Sequence, residues 1–225
     1  MDPTGGWAKA TETAAGATKE GIQASRDLAH FIRGPAAEVV GMLEDHLKVV
    51  RFKRRIRLMD RVRNILAEKG MAGPTRKIPL NIGAPLLEIA TLEDDDNLQE
   101  VWARLLVNGG DARSGTELRR AFVSVLAEMT SLDVQNLAQI DIATRLNEGT
   151  ASPGAWTYEL PERAIQFDQT EDRYNRDPSP EVATSLSNLS RLGCVMPFGQ
   201  VGTDAKYRLL MLSPFGRAFI EACTK

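Results

Sequence analysis

Through most of the chain, apolar residues recur at three- and four-residue steps, the spacing that predicts helices. The longest runs from Ala36 to Lys69, just after Pro35, and would extend about 50 Å at the α-helical rise. Val49, Phe52, Ile56, Met59, Val62 and Leu66 form its apolar stripe. From Gly70 to Ile82, two prolines and two glycines predict a linker or extended segment. Shorter helices follow: Pro85 to Leu92, then from the acidic run Glu93-Asp94-Asp95-Asp96 to Val107, closed by Asn108-Gly109-Gly110. Thr116 to Thr130 and a helix capped by Ser131-Leu132-Asp133 and running to about Leu146 continue the pattern. Ahead of all of these, Trp7, Ala10, Ala14, Ala17, Gly21, Ala24 and Leu28 describe one narrow face of small residues. Gly16 and Gly21 each weaken such a helix by roughly 1 kcal/mol, so residues 1–33 read as a marginal helix or flexible arm.

The pattern changes after Asn147. Residues 148–177 carry turn signals at Gly149 and Ser152-Pro153-Gly154 and read as a long loop between two units. Ser179-Pro180 then opens a helix with Val182, Leu186, Leu189 and Leu192 inward, closed by Gly193. Cys194 to Phe198 and Lys206 to Leu212 read as two strands joined by a turn, and Ser213-Pro214 caps a last helix holding Phe215, Phe219 and Ile220. The expected fold is mainly α. A helical domain spans 34–147, and a winged-helix-like α+β unit spans 178–225.

Composition narrows the class without naming a function. With 43% hydrophobic and 26% charged residues, collagen-like and disordered chains are excluded. Two cysteines, Cys194 and Cys223, in no metal-binding spacing, suit a reducing compartment. The N-terminus lacks a basic segment leading into an apolar one, and no apolar run reaches the ~20 residues of a bilayer span. The expectation is a cytoplasmic protein, at most peripheral at the inner membrane.

Charge placement matters more than the net −2. Lys48, Arg51, Lys53, Arg54, Arg55, Arg57, Arg61 and Arg63 stand around the long apolar stripe against Asp60 alone, which leaves the rest of the chain strongly acidic. Such a helix can neutralise phosphates of nucleic acid or an anionic membrane surface. Equally, its arginines can pair with the acidic remainder of this chain or of a second subunit. The narrow stripe, longer than a small domain can cover, also suits a homo-oligomer. In the C-terminal unit the helix before the hairpin would be the reader of nucleic acid, through Thr184, Ser187, Asn188, Ser190 and Arg191, with Lys206 and Arg208 on the wing. One cation on that helix and two on the wing favour packing or dimerisation over DNA.

No nucleotide-binding or hydrolase motif occurs. His30 and His46 lie on separate helices with no ligand or nucleophile spaced to meet them, and the acidic run before a helix start reads as an N-cap facing the helix dipole rather than a metal site. The expected protein has no catalytic residues, metal or cofactor.

The stretch Ile78-Pro79-Leu80-Asn81-Ile82-Gly83-Ala84-Pro85-Leu86-Leu87-Glu88, the acidic run, and then Leu98-Gln99-Glu100-Val101-Trp102-Ala103-Arg104-Leu105-Leu106 resemble the core of the abortive infection alpha family. The ending is similar too: Leu189-Ser190-Arg191-Leu192-Gly193, Tyr207 to Leu212, and Ser213-Pro214-Phe215-Gly216-Arg217-Ala218-Phe219 through Cys223. The resemblance covers the chain from about Leu43 onward. It implies a bacterial cytoplasmic protein of anti-phage defence, in which an infected cell is killed or arrested before phage can mature, and it leaves the mechanism open. The expected protein is a non-enzymatic effector or sensor that acts through an anionic membrane surface or through contact with a phage or host protein. The family supplies no catalytic residues to carry over. A nucleic-acid-binding regulator is the alternative.

Overall fold

The structure, a computed structural model, describes residues 40–146, 154–167, 176–197 and 207–224, with side chains from residue 50 onward. The Trp7–Leu28 face, His30, the side chains of His46, Lys48 and Val49, and Lys206 lie outside the described residues. The chain divides into two compact units, residues 1–53 and 54–225.

Among the described residues there are seven helices: α1 (Val40–Glu68), α2 (Leu80–Ala90), α3 (Asp96–Gly110), α4 (Arg120–Ala127), α5 (Ser131–Arg145), α6 (Pro180–Arg191) and α7 (Pro214–Thr224). Four short strands, β1 (Ala155–Trp156), β2 (Ile165–Gln166), β3 (Val195–Pro197) and β4 (Leu209–Leu212), form one antiparallel sheet in the order β2-β1-β4-β3. The protein is mainly α, with a C-terminal α+β unit.

Local chemistry sets the helix ends. Asp95 accepts hydrogen bonds from the backbone N–H groups of Asn97 and Leu98 and so caps α3. Thr130 and Asp133 exchange side-chain and backbone bonds in a capping box that starts α5. Ser179 caps α6 ahead of Pro180, and Gly193 follows its end at φ +74°, a conformation that costs glycine least. The α3 helix continues through Asn108, Gly109 and Gly110, where the sequence predicts a stop. These glycines are buried because neighbours approach them closely: a Cβ on Gly109 would stand 2.6 Å from Leu118, and one on Gly110 3.2 Å from Pro74.

One core runs through residues 58–223. Leu58, Val62 and Ile65 of α1 join Trp102 and Leu105 of α3, Phe122 of α4, Leu186 of α6 and Phe219 of α7 in it. The buried line on α1 is therefore rotated from the expected stripe. Met59 and Leu66 are half-buried, whereas Phe52 and Ile56 stay 64% and 46% exposed. The packing also continues across the expected linker. Helix α3 makes its most extensive contact with α7, and the buried Asn108 side chain donates to the Ala222 carbonyl at 2.8 Å.

Within 148–177, where a loop is expected, Gly154 to Thr157 are buried and contribute β1, one of the two inner strands. Ala155 and Trp156 pair with Leu210 and Leu209 on one side and with Gln166 and Ile165 on the other. The β3–β4 hairpin appears where the sequence places it, with Val195 opposite Leu212. Phe215 and Phe219 of α7 sit 5.5 and 5.8 Å from the Phe122 ring, which ties the last helix to α4.

Candidate functional site

The basic face of α1 separates into two parts. Arg54, Arg57 and Arg61 recur at helical spacing and point one way, because residues three and four apart share a face. Opposite them lies the start of α3. Arg54 pairs with Asp94 at 3.2 Å and donates to the Leu92 carbonyl. Arg57 and Arg61 converge on Asp96 at 3.3 and 2.8 Å, and Arg61 also reaches Glu100 at 3.4 Å. Glu100 is held in turn by Arg104 at 2.9 Å. Asp96 and Glu100, four residues apart, thus meet Arg57 and Arg61 at the same interval. Arg63 pairs with Asp60 on its own helix at 2.6 Å.

These contacts are solvent-accessible, so each contributes roughly 0.2–1 kcal/mol, with the shared carboxylates linking them into a network. Their larger effect is on charge, since they neutralise half of the cations that make the sequence look polarised. The acidic run is thereby accounted for: Asp94 and Asp96 face arginines, Asp95 caps α3, and Glu93 accepts the backbone N–H groups of Asp94 and Asp95 at 3.0 Å each. No group of three or more potential metal ligands comes together among the described residues.

The second part of the basic face is different. Arg51, Lys53 and Arg55 are exposed and make no ion pair with any described residue. Along the same helix they alternate with the exposed Phe52 and Ile56. Sequence reasoning put all eight basic residues in one surface. The missing signal was the matched spacing of Arg54, Arg57 and Arg61 with Asp94, Asp96 and Glu100.

On α6, Thr184 and Ser187 are exposed, the first donating to the Pro180 carbonyl and the second 3.3 Å from the Tyr207 hydroxyl. Asn188 donates to the Glu128 carbonyl and the Asp133 carboxylate, both at 3.0 Å, and so fastens α6 to the α4–α5 corner. Ser190 is half-buried. Arg191 pairs with Glu128 at 2.7 Å, and Arg208 pairs with Asp177. Of the expected readers, Thr184, Ser187 and Arg191 share the exposed side of α6, while Asn188 and Arg208 are engaged within the fold.

Both cysteines are free and buried. Burial pushes the Cys194 thiol up to about 12, with the Asp133 carboxylate adding to the effect. Burial raises the Cys223 thiol as well, and the neighbouring Cys194 acts in the same direction. Neither thiol has the lowered pKa of a nucleophile.

Fold and site together define a mainly helical protein with a C-terminal α+β unit and a basic helix that is neutralised along one face and, along another, exposed and unpaired among the described residues. No described helix is long and apolar enough to cross a membrane. The chain belongs to the abortive infection alpha family, whose model matches residues 53–223, and that membership assigns it an abortive-infection role. No curated protein and no solved structure is significantly similar to it.

Proposed function

We propose that the protein is a non-enzymatic effector of bacterial anti-phage abortive infection and acts at an anionic membrane surface through the exposed stretch of α1 around Lys53. The carrying observation is the alternation of Arg51, Lys53 and Arg55 with the exposed Phe52 and Ile56. Cations near an anionic leaflet contribute about 1 kcal/mol each, and burying a large apolar side chain contributes about 1.5–3 kcal/mol. One helix of this kind binds a surface reversibly, and a homo-oligomer presenting several copies binds it far more firmly. Such a protein resides in the cytoplasm and meets the inner membrane peripherally.

The test compares two triple reversals in sedimentation with phosphatidylglycerol vesicles. Changing Arg51, Lys53 and Arg55 to Glu abolishes binding in the full chain, and the parent's binding falls steeply between low and moderate salt. Changing Arg54, Arg57 and Arg61 to Glu acts mainly on stability. Parent-like binding by the first variant sinks the proposal. In infected cells the parent depolarises the membrane and the first variant does not.

A second reading, a nucleic-acid-binding regulator, draws support from the β1-β4-β3 order framed by α5, α6 and α7, which suits a winged-helix-like unit. The ion pairs of Arg191 and Arg208 weigh against it. Duplex DNA binding that survives the first triple reversal and is lost on Thr184→Glu with Ser187→Glu would replace the membrane reading.

A further inference from the structure

The connector from Gly70 to Pro79 is pinned along the end of α3. The backbone N–H groups of Thr75 and Arg76 both donate to the Gly110 carbonyl, at 2.9 and 2.8 Å. The Arg76 guanidinium donates to the carbonyls of Gly109, Asn108 and Thr116, and the Thr75 hydroxyl accepts the Ala112 N–H at 2.9 Å. Between this fixed wall, α1 and α3 lies a groove of about 680 Å³, within the ~300–1,000 Å³ of small-molecule sites. Its walls are apolar: Met59, Val62 and Leu66 on α1, Ile78 on the connector, Leu106 and Val107 on α3.

Two observations select an occupant. Thr75 and the Nε and Nη2 atoms of Arg76 are already bonded to the α3 end, so the groove offers a buried peptide or sugar few partners, and an unpartnered polar group there is costly. An acyl chain needs none. At the mouth, Lys77 is exposed and engaged by no described residue, and no carboxylate lines the groove among the described residues. The charge therefore complements an anion attached to an apolar tail.

We propose that this groove binds the acyl chain of an anionic amphiphile, with Lys77 holding the acidic headgroup. Arg51, Lys53 and Arg55 do not line the groove, although Arg55 stands one helical turn before Met59, and the proposal goes beyond surface attachment, since it takes one chain out of water or lipid into the protein.

The full chain is titrated with cis-parinarate, an anionic fatty acid that brightens in apolar surroundings, below its micellar range. One saturable site per chain is expected, displaced by oleate and about tenfold less well by methyl oleate. Lys77→Glu, on the surface, weakens binding about tenfold, and Leu66→Trp fills the groove and removes it. If Leu66→Trp fails to fold by circular dichroism, Lys77→Glu alone decides. The Arg51, Lys53 and Arg55 triple reversal keeps parinarate binding, which separates this site from the membrane-surface reading. Transfer of a pyrene-labelled phosphatidylglycerol from vesicles identifies a membrane lipid as the source, whereas capture of the free acid alone identifies a soluble one. No saturable site, equal displacement by methyl oleate, an unaffected Lys77→Glu, or release of the probe as the chain self-associates would each overturn the proposal.

Discussion

Gly216→Ala tests how the family-like ending is built. A Cβ at this position would stand 2.0 Å from the carbonyl oxygen of Cys194, 2.8 Å from its carbonyl carbon and 3.0 Å from its Cα. All three are backbone atoms, so no side chain can swing aside, and α7 has to move outward by roughly 1 Å. That movement acts on the Ser213 cap, whose hydroxyl accepts the Gly216 N–H at 2.8 Å, and on the Ser213 N–H bond to the Cys194 carbonyl at 3.0 Å. Overpacking costs about 1–3 kcal/mol, a weakened cap about 1 and a strained buried hydrogen bond about 1, giving roughly 3–5 kcal/mol. Against a total stability of about 5–15 kcal/mol, the variant is severely weakened, and melting should drop by about 6–20 °C. Urea unfolding of the full chain followed by circular dichroism measures it. Gly193→Ala is the control: Gly193 occupies the turn after α6, at φ +74°, and meets nothing within 4 Å, so its cost of about 1 kcal/mol is conformational alone. If Gly216→Ala unfolds within about 1 kcal/mol of the parent, or no more easily than Gly193→Ala, the close approach of α7 to Cys194 is wrong.

A double-mutant cycle on Arg61 and Asp96 should give a coupling of about 0.5–1 kcal/mol that shrinks in 1 M salt, and zero coupling would remove the ion-pair account of the neutralised face. Ellman's reagent should leave the native chain unlabelled at pH 8 and label it only on unfolding; fast labelling of either thiol would refute their burial. Because the Cys194 value is raised in the folded state to about 12, its contribution to stability is complete below the unfolded value near 8.5 and is lost as the pH climbs toward 12. The urea midpoint should therefore decline above about pH 9, and Cys194→Ala should lessen that decline, the rest coming in part from the Cys223 thiol, which burial raises as well.

Local signals made much of the fold legible. The three- and four-residue spacing of Val182, Leu186 and Leu189, the Ser179-Pro180 start and Gly193 locate α6 to within a residue, because each rule acts over one or two turns. The β1 strand was hidden for the opposite reason. Two residues long, it is defined by pairing with Leu209 and Leu210 more than fifty positions away, and nothing in Ala155-Trp156 announces that partner. Similarly, Asn108-Gly109-Gly110 carries a stop signal that tertiary packing overrides, since Leu118 and Pro74 need the space. At the candidate site, the excess of basic residues was plain. Which of them pair with α3 depends on how α1 lies against it, and no single-helix pattern contains that information.

The bond from Asn108 to Ala222, 114 positions apart, bears on how the protein comes into being. A ribosome releases α3 long before α7, so for the time needed to add about a hundred residues, several seconds at ~5–20 per second, the apolar side of α3 waits without its principal neighbour. The core can close only after the segment that begins at Pro214 has left the exit tunnel. A chain halted earlier therefore lacks the α7 side of its core and leaves the buried Asn108 amide without its Ala222 partner.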